Sequence, residues 1–534
     1  MPLNHLVKKI VRNRLRIRIR FYFCLNHKTT MKIFASLATI VLLSFAPKID
    51  KPIPKKAQLY VANYENVLGT SLEFKFTATN EADAEKAEKA ALKEIDRLSA
   101  VLSAYDQNSE FNNWMSMELN KPVKVSEELF KMLSLFDDWK TRTKGALNAS
   151  AAVANQLWTA SASKNVLPSK AQLILAVNLM QQKHYQLDKT NLTATRLTNV
   201  PLVMNTFAKS YIINLACDAA LKSADITSAV VNIGGDLVIK GDVLDAVNVT
   251  NPLANAENDT PLAQLLVSNK AIATSGNYRR GNQIGKEWYA HIIDPRTAKP
   301  VVGVISATVI ANNATDAGAL ATAFNVLSLA EAEALAATIE GVAYLVVTKS
   351  GKKVESKNWN LFVDGSKKEE KNNVQAIMVG SEKAWDPKYE LTINFEFNKI
   401  AGNSHRPFTA IWVENDKKEA VRNLALWFNK ARWLPDLRNW YKINSVKFKA
   451  DNKNYASVTG ATRNPGKYTV KWDGKTDNGE FVPQGNYTIN IETSKEHGTD
   501  EILRQTMEFK KSAKKVSNKG NVEISNVTFD FRKK

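Results

Sequence analysis

The hydrophobic pattern of the chain changes kind near residue 370, and that change limits it to two architectures in series. Before it, strand-like and helix-like segments alternate. Residues 57–80 alternate in strand fashion through Leu72, Phe74 and Phe76, and residues 81–103 carry apolar positions at helical spacing among abundant Ala, Glu and Lys. SAVVNIGGDLVIKG (228–241), VISATVIA (304–311) and VAYLVVTK (342–349) read as strands, and ATDAGALATAFNVLSL (314–329) reads as a helix. Residues 351–374 turn to lysine and glutamate, the composition of a last surface strand and a linker. Beyond them YELTINFEFN, FTAIWVEN and NYTINIETS are short strands spaced by Gly, Asn and Pro turns, which is the rhythm of a β-sandwich. The expected layout is an α/β (α+β) domain over 57–355, a linker over 356–374 and an all-β sandwich over 375–534.

The N-terminus reads differently. Residues 1–30 hold eight Lys or Arg and no acid, so they supply eight of the twenty net positive charges. The remainder forms no basic stripe, which argues against a nucleic-acid partner. From Met31 a lysine is followed by an apolar run, Ile33 to Ala46, in the layout of a secretory signal peptide and short for a membrane span. Residues 1–30 are therefore expected to be an extension ahead of the true start, and 31–56 a signal peptide with a short linker. The chain is expected to be exported to the periplasm or cell envelope, with membrane association only through that segment. Cys24 and Cys217 are the only cysteines, so no disulfide framework and no cysteine-based zinc site follow.

Several residues suit chemistry on an anionic ligand. Gly234-Gly235-Asp236 allows a tight turn, close backbone approach and an acid to hydrogen-bond; it equally suits a plain turn between strands. His291 and Asp294 sit at strand ends before Pro295, and equally suit a core histidine and a turn. Arg279 and Arg280 could meet a diphosphate, or simply face water.

Taken in order, these segments resemble the FAD:protein FMN transferase (ApbE) family over roughly residues 57–350. The resemblance rests on LSAYDQNSEFNNW (102–114), GALNAS (145–150), VNIGGDLVIKG (231–241), IATSGNYRRG (272–281) and WYAHIIDPRTAKPV (288–301). It implies that FAD is the substrate, held by Tyr105, Ala146, Leu147, Asn148, Lys209, Gly234, Gly235, Asp236, Ser275, Gly276, Arg279, His291 and Ile292. It implies catalytic roles for His291, Asp294 and Lys209, and a Mg²⁺ ion held by Thr206, Asp316 and Thr322. FMN would pass from FAD to a threonine of a flavin-accepting redox protein of the envelope, with AMP leaving. The chain departs from the family pattern around the metal. The family's Asp one helical turn before Thr322 falls at Gly318, and Ala321 precedes the threonine. An Asp before the lysine segment falls at Val203, and the glycine after the lysine is Ser210. The alternative reading is therefore a secreted flavin-binding or flavinylated electron carrier with a degenerate transferase site.

The second half resembles an exported domain often found beside this transferase. Within it WDGKTDNGEFVPQGNYTI resembles the immunoglobulin-like module of flagellar hook-cap proteins. That implies Trp472 in the sandwich core, turns at Asp473-Gly474 and Asn478-Gly479, and Tyr487 on a returning strand. Trp412, Trp427, Trp433, Trp440 and Tyr441 suit either core and lid, or a partner surface or flavin-stacking face. Acceptors of flavin transferases carry a Ser/Thr-Gly-Ala-Thr/Ser word, and Thr459-Gly460-Ala461-Thr462 fits it. Thr462, on an exposed loop, is thus a candidate FMN acceptor; Ala456 stands where acceptors usually have an acid.

Overall fold

A computed structural model of the chain describes residues 57–365, 383–399, 406–450, 458–495, 498, 500–510 and 512–534. The expected basic extension, the expected signal segment, Cys24 and residues 366–374 of the expected linker lie outside the described residues.

The first half is built on one eight-stranded sheet in which every neighbouring pair is antiparallel. Its strands, in chain order, are β1 (Gln58–Val67), β2 (Thr70–Ala78), β3 (Ile226–Ile233), β4 (Asp236–Gly241), β5 (Lys270–Gly276), β6 (Val304–Ala311), β7 (Ala343–Thr348) and β8 (Lys353–Glu355), and their spatial order is the same. The central strands are apolar on both sides. Val231, Val238, Ala273, Val309 and Val346 face the main core, while Val230, Ile239, Ile272, Ile310 and Leu345 face a second one. Helices cover the first face: α1 (Glu81–Leu102), α2 (Glu127–Arg142), α3 (Ala208–Ser223) and α4 (Ala314–Val326). In α1, Ala84, Ala87, Ala91, Ile95, Leu98 and Leu102 form the buried stripe, and Asn80 caps its N-terminus by accepting from the Asp83 amide. A hairpin of Asp245–Val249 and Ala263–Val267 covers the other face. Trp359, expected in the linker, is buried beneath that hairpin. The Leu266 amide donates to Phe362 and the Asp364 amide to Gln264. The expected linker therefore begins later, because its aromatic residues complete the second core. Among the described residues no helix is long and apolar enough to cross a membrane.

The second half is a two-sheet sandwich of four and five strands. Trp472 lies in its core against Trp385, Tyr487 and Phe509, and the turns at Gly474 and Gly479 take φ of +78° and +86°. It is β-rich rather than purely β. Ala431–Asp436 forms a 3-10 turn and Arg438–Ala450 an α-helix, and together they cover the outer face of the five-stranded sheet. Trp412, Leu437 and Trp440 are sealed there. Glu492, 0% exposed, reaches from the sheet to accept from the Asn439 and Trp440 amides at 2.9 and 2.8 Å, and so satisfies the first turn of that helix.

The two halves touch through ion pairs of one polarity. Arg406, Lys430, Arg432, Arg463 and Lys471 of the sandwich meet Glu65, Glu88, Glu85, Glu257 and Asp259 of the first half. The loop carrying Glu257 and Asp259 lies along the edge strand Gly466–Trp472. The Glu257 amide donates to Thr469 O, and Asn258 exchanges two hydrogen bonds with the Lys471 main chain.

Thr462 lies in this region, and the exposed loop expected for it is absent. Thr459–Gly460 forms a short strand parallel to Leu426–Trp427, and Ala461 and Thr462 are each only 7% exposed. Arg463 closes over them: it lies on the Trp427 ring at 4.5 Å, donates to Ala461 O and pairs with Glu257. The small residues here serve close packing, which sequence alone cannot separate from accessibility.

Candidate active site

Several stretches of chain converge on the β3–β4 turn. Gly234 and Gly235 take φ of +61° and +102°, in the left-handed region that favours glycine. A side chain at Gly234 would stand 2.9 Å from Thr70, so the β1–β2 turn packs directly beneath. The Gly234 amide donates to Ser71 O and the Gly235 amide to Asn232 Oδ1.

Asp236 opens β4, facing α3. Its carboxylate accepts from Ser210 Oγ at 2.7 Å. Burial pushes its pKa up to about 6, against the pull of the Ser210 hydrogen bond and the Lys209 ammonium. Lys209 occupies the first turn of α3, half-buried. Burial and then the Arg280 guanidinium hold its pKa below the ordinary lysine value, with Asp236 acting the other way.

Arg280 leads into the hairpin Gly281–Ile284/Glu287–Ala290, and His291 follows it. The His291 amide and Nδ1 both lie 3.1 Å from Arg280 O. A carbonyl only accepts, so Nδ1 carries the proton and Nε2 keeps a lone pair. Burial lowers the His291 pKa; the Arg280 carbonyl opposes this and the Arg280 charge adds to it. The ring is therefore neutral at pH 7. Lys209 thus lies next to both Asp236, which follows the glycine turn, and Arg280, and His291 is bound to the Arg280 main chain, so the four are linked in series.

The remaining expected residues divide between the rim, the frame and other duties. Tyr105, 78% exposed, accepts from Asn205 Nδ2 at 2.8 Å, next to Thr206 at the entry to α3. The GALNAS segment is tied to the same entry by the Val203 amide donating to Ala149 O. Ala146 and Leu147 are buried and Asn148 is internally bonded, to Ser150 and to Met180 O, so these three shape the wall and leave only main chain for a ligand. Ser275 O accepts from Asn325 of α4, Gly276 leaves room for the Tyr278 ring, and Ile292 is buried. Arg279 is exposed and lies by the Tyr278 ring.

Asp294, expected to be catalytic, is taken up by Arg296. The guanidinium binds both its oxygens, at 2.9 to 3.2 Å, and also reaches Glu331. It is a turn clasp. Ser210, noted from the sequence as a departure, and Asn232, not singled out there, hold Asp236 and the Gly235 amide; of the two arginines read as able to meet a diphosphate, Arg280 is the one beside Lys209.

The expected Mg²⁺ ligands do not fit such an ion. Asp316 lies in the first turn of α4, where its carboxylate accepts from Asn313 Nδ2 at 2.7 Å. Thr322 is six residues on, roughly 9 Å along the helix axis. At Gly318 there is no side chain, and a Cβ built there would run into Ser210 Oγ, with Ser210 Cβ at 3.1 Å. The cradle that would carry a carboxylate from α4 is filled by the Ser210 hydroxyl from α3. Magnesium wants one or two carboxylates beside phosphate oxygens, and Thr206 and Thr322 offer neutral hydroxyls only. Among the described residues no three His, Cys, Asp or Glu side chains form a metal-binding group.

Comparison with known proteins agrees with this architecture. Residues 68–346, just over half of the chain, match the ApbE family, and residues 390–526 match a family described as a predicted periplasmic protein (DUF2271). An FAD:protein FMN transferase of Rhodobacter capsulatus is 28% identical over 334 residues, covering 59% of this chain and 60% of that protein. The Vibrio cholerae enzyme of the same name is 27% identical, covering 44% and 72%. The crystal structure of the ApbE protein from Thermotoga maritima superposes with a TM-score of 0.52 at 26% identity, over 57% of this chain and 100% of that one.

Proposed function

The chain belongs to the ApbE family, and from that premise we propose that it is an exported FAD:protein FMN transferase acting on a hydroxyl of a separate redox protein of the envelope. The observation that carries the reading is the series of neighbours that runs from the Gly234–Gly235 turn through Asp236 and Lys209 to Arg280 and His291. Export rests on the kinship of the second domain with a predicted periplasmic family.

The residues divide the chemistry among them. The glycine turn lets main chain approach the diphosphate of FAD, and Lys209 and Arg280 face its charge. The acceptor threonine attacks the phosphorus of the FMN half. An O–P bond forms as the bond to AMP breaks, and the hydroxyl proton passes to His291 Nε2. No step is assigned to magnesium, because among the described residues its expected ligands Thr206, Asp316 and Thr322 do not gather into a carboxylate site.

A second reading is favoured by one observation, the filling of the Gly318 cradle by Ser210. It is a flavin-binding protein that holds FAD without transferring FMN. One experiment separates the two. The full chain is incubated with FAD and a separate protein exposing a Thr-Gly-Ala-Thr segment, and a denaturing gel is viewed under ultraviolet light. A fluorescent acceptor band is expected, lost in His291→Ala and in Lys209→Ala. The chain's own band should stay dark, since Thr462 is buried. A dark acceptor alongside tight FAD binding selects the second reading. A fluorescent chain that darkens in Thr462→Ala makes the protein its own acceptor.

A further inference from the structure

We infer that this chain binds the diphosphate of its flavin nucleotide without a divalent cation, with Lys209 and Arg280 supplying the positive charge and Ser210 and Gly318 forming a matched pair that keeps a metal-binding carboxylate off α4. The inference rests on the reading of the site as one for FAD. Two facts about packing carry it. Ser210 Oγ sits where a side chain on residue 318 would have to begin, and both positions are buried. The same hydroxyl donates to Asp236, the carboxylate nearest the cradle, and so turns one of its oxygens toward the interior.

Each residue excludes an alternative at the other. An Asp at 318 would displace the Ser210 hydroxyl, break its hydrogen bond to Asp236 and crowd Ser210 Cβ, which stands 3.1 Å from where its own Cβ would lie. A glycine at 210 with glycine at 318 would leave a void and a freed Asp236. The observed pairing avoids both. What remains after the glycine turn is a hydrogen-bonded acid with Lys209 beside it and Arg280 beside Lys209, a set suited to a phosphate anion rather than to a hard cation.

The test reads binding, not turnover. FAD is titrated into the purified full chain, in excess EDTA and in excess magnesium, and the affinity is read from flavin fluorescence quenching. The wild type should bind equally in both, while Lys209→Ala and Arg280→Ala should each weaken binding by about tenfold or more. Gly318→Asp alone should lose thermal stability. The double variant Ser210→Gly/Gly318→Asp should recover it, bind Mn²⁺ alone by electron paramagnetic resonance, and make FAD affinity magnesium-dependent. Wild-type affinity that falls in EDTA would overturn the inference, as would Mn²⁺ binding by the wild type equal to that of the double variant. Absence of FAD binding under every condition overturns instead the reading of the site on which the inference rests.

Discussion

Asp236 is the residue whose charge matters most to the site, and its titration has a definite sign. Its folded pKa, about 6, lies above the unsited value of 3.8. The folded state therefore keeps this proton to higher pH than the unfolded chain does. The resulting stabilisation is full below about 4 and is lost as pH rises through about 6. Relative to Asp236→Asn, the wild type should lose stability across that window in a pH series of urea melts. Parallel curves for the two proteins would refute the assignment. The sequence makes Lys209, Asp236 and His291 visible one at a time, through motif words. It does not make Ser210 and Gly318 visible as a pair, because they lie far apart in the chain and only the packing of α3 on α4 joins them. Asp294 and Asp316 are engaged elsewhere in this structure, which the sequence could not show. A carboxylate in a word says nothing about which neighbouring donor already holds it, and here Arg296 and Asn313 do.

At the scale of elements, the central strands are legible because both of their faces are buried, and an apolar run is all that such a strand needs. The helix Arg438–Ala450 is not legible. Its Trp440, Tyr441, Ile443, Val446 and Phe448 have strand-favouring side chains, and packing against the outer sheet face overrides that preference. The helix also depends on a distant residue. Glu492→Ala would leave the Asn439 and Trp440 amides without their acceptor, at a cost of about 3 kcal/mol, and Glu492→Gln should cost about 1 kcal/mol. Chemical denaturation measures both; equal costs would mean that a neutral acceptor cannot replace the carboxylate, and no cost for Glu492→Gln would mean that its charge contributes nothing.

For the whole molecule, the interface between the halves sets how it unfolds. Five partly exposed ion pairs contribute about 1 kcal/mol or less each. Arg463 adds its contact with Trp427 and its bond to Ala461 O. Calorimetry of the wild type at low salt should show one coupled transition. Arg463→Ala/Lys471→Ala should split it in two, as should high salt, which screens such pairs. A single transition in the double variant would place the coupling elsewhere. The composition gave no hint of this interface, because the cations and acids that meet across it are ordinary surface residues in either half alone.

The loop from Glu257 to Asp259 has a consequence beyond holding two halves together. It occupies main-chain groups along the strand Gly466–Trp472. A sandwich cut free by proteolysis, or made alone, would present that edge bare. Its next neighbour could then be another copy of itself, added strand to strand. The flavin half thus serves its companion as a resident chaperone, and the liberated fragment is the form of this protein to watch for in deposits.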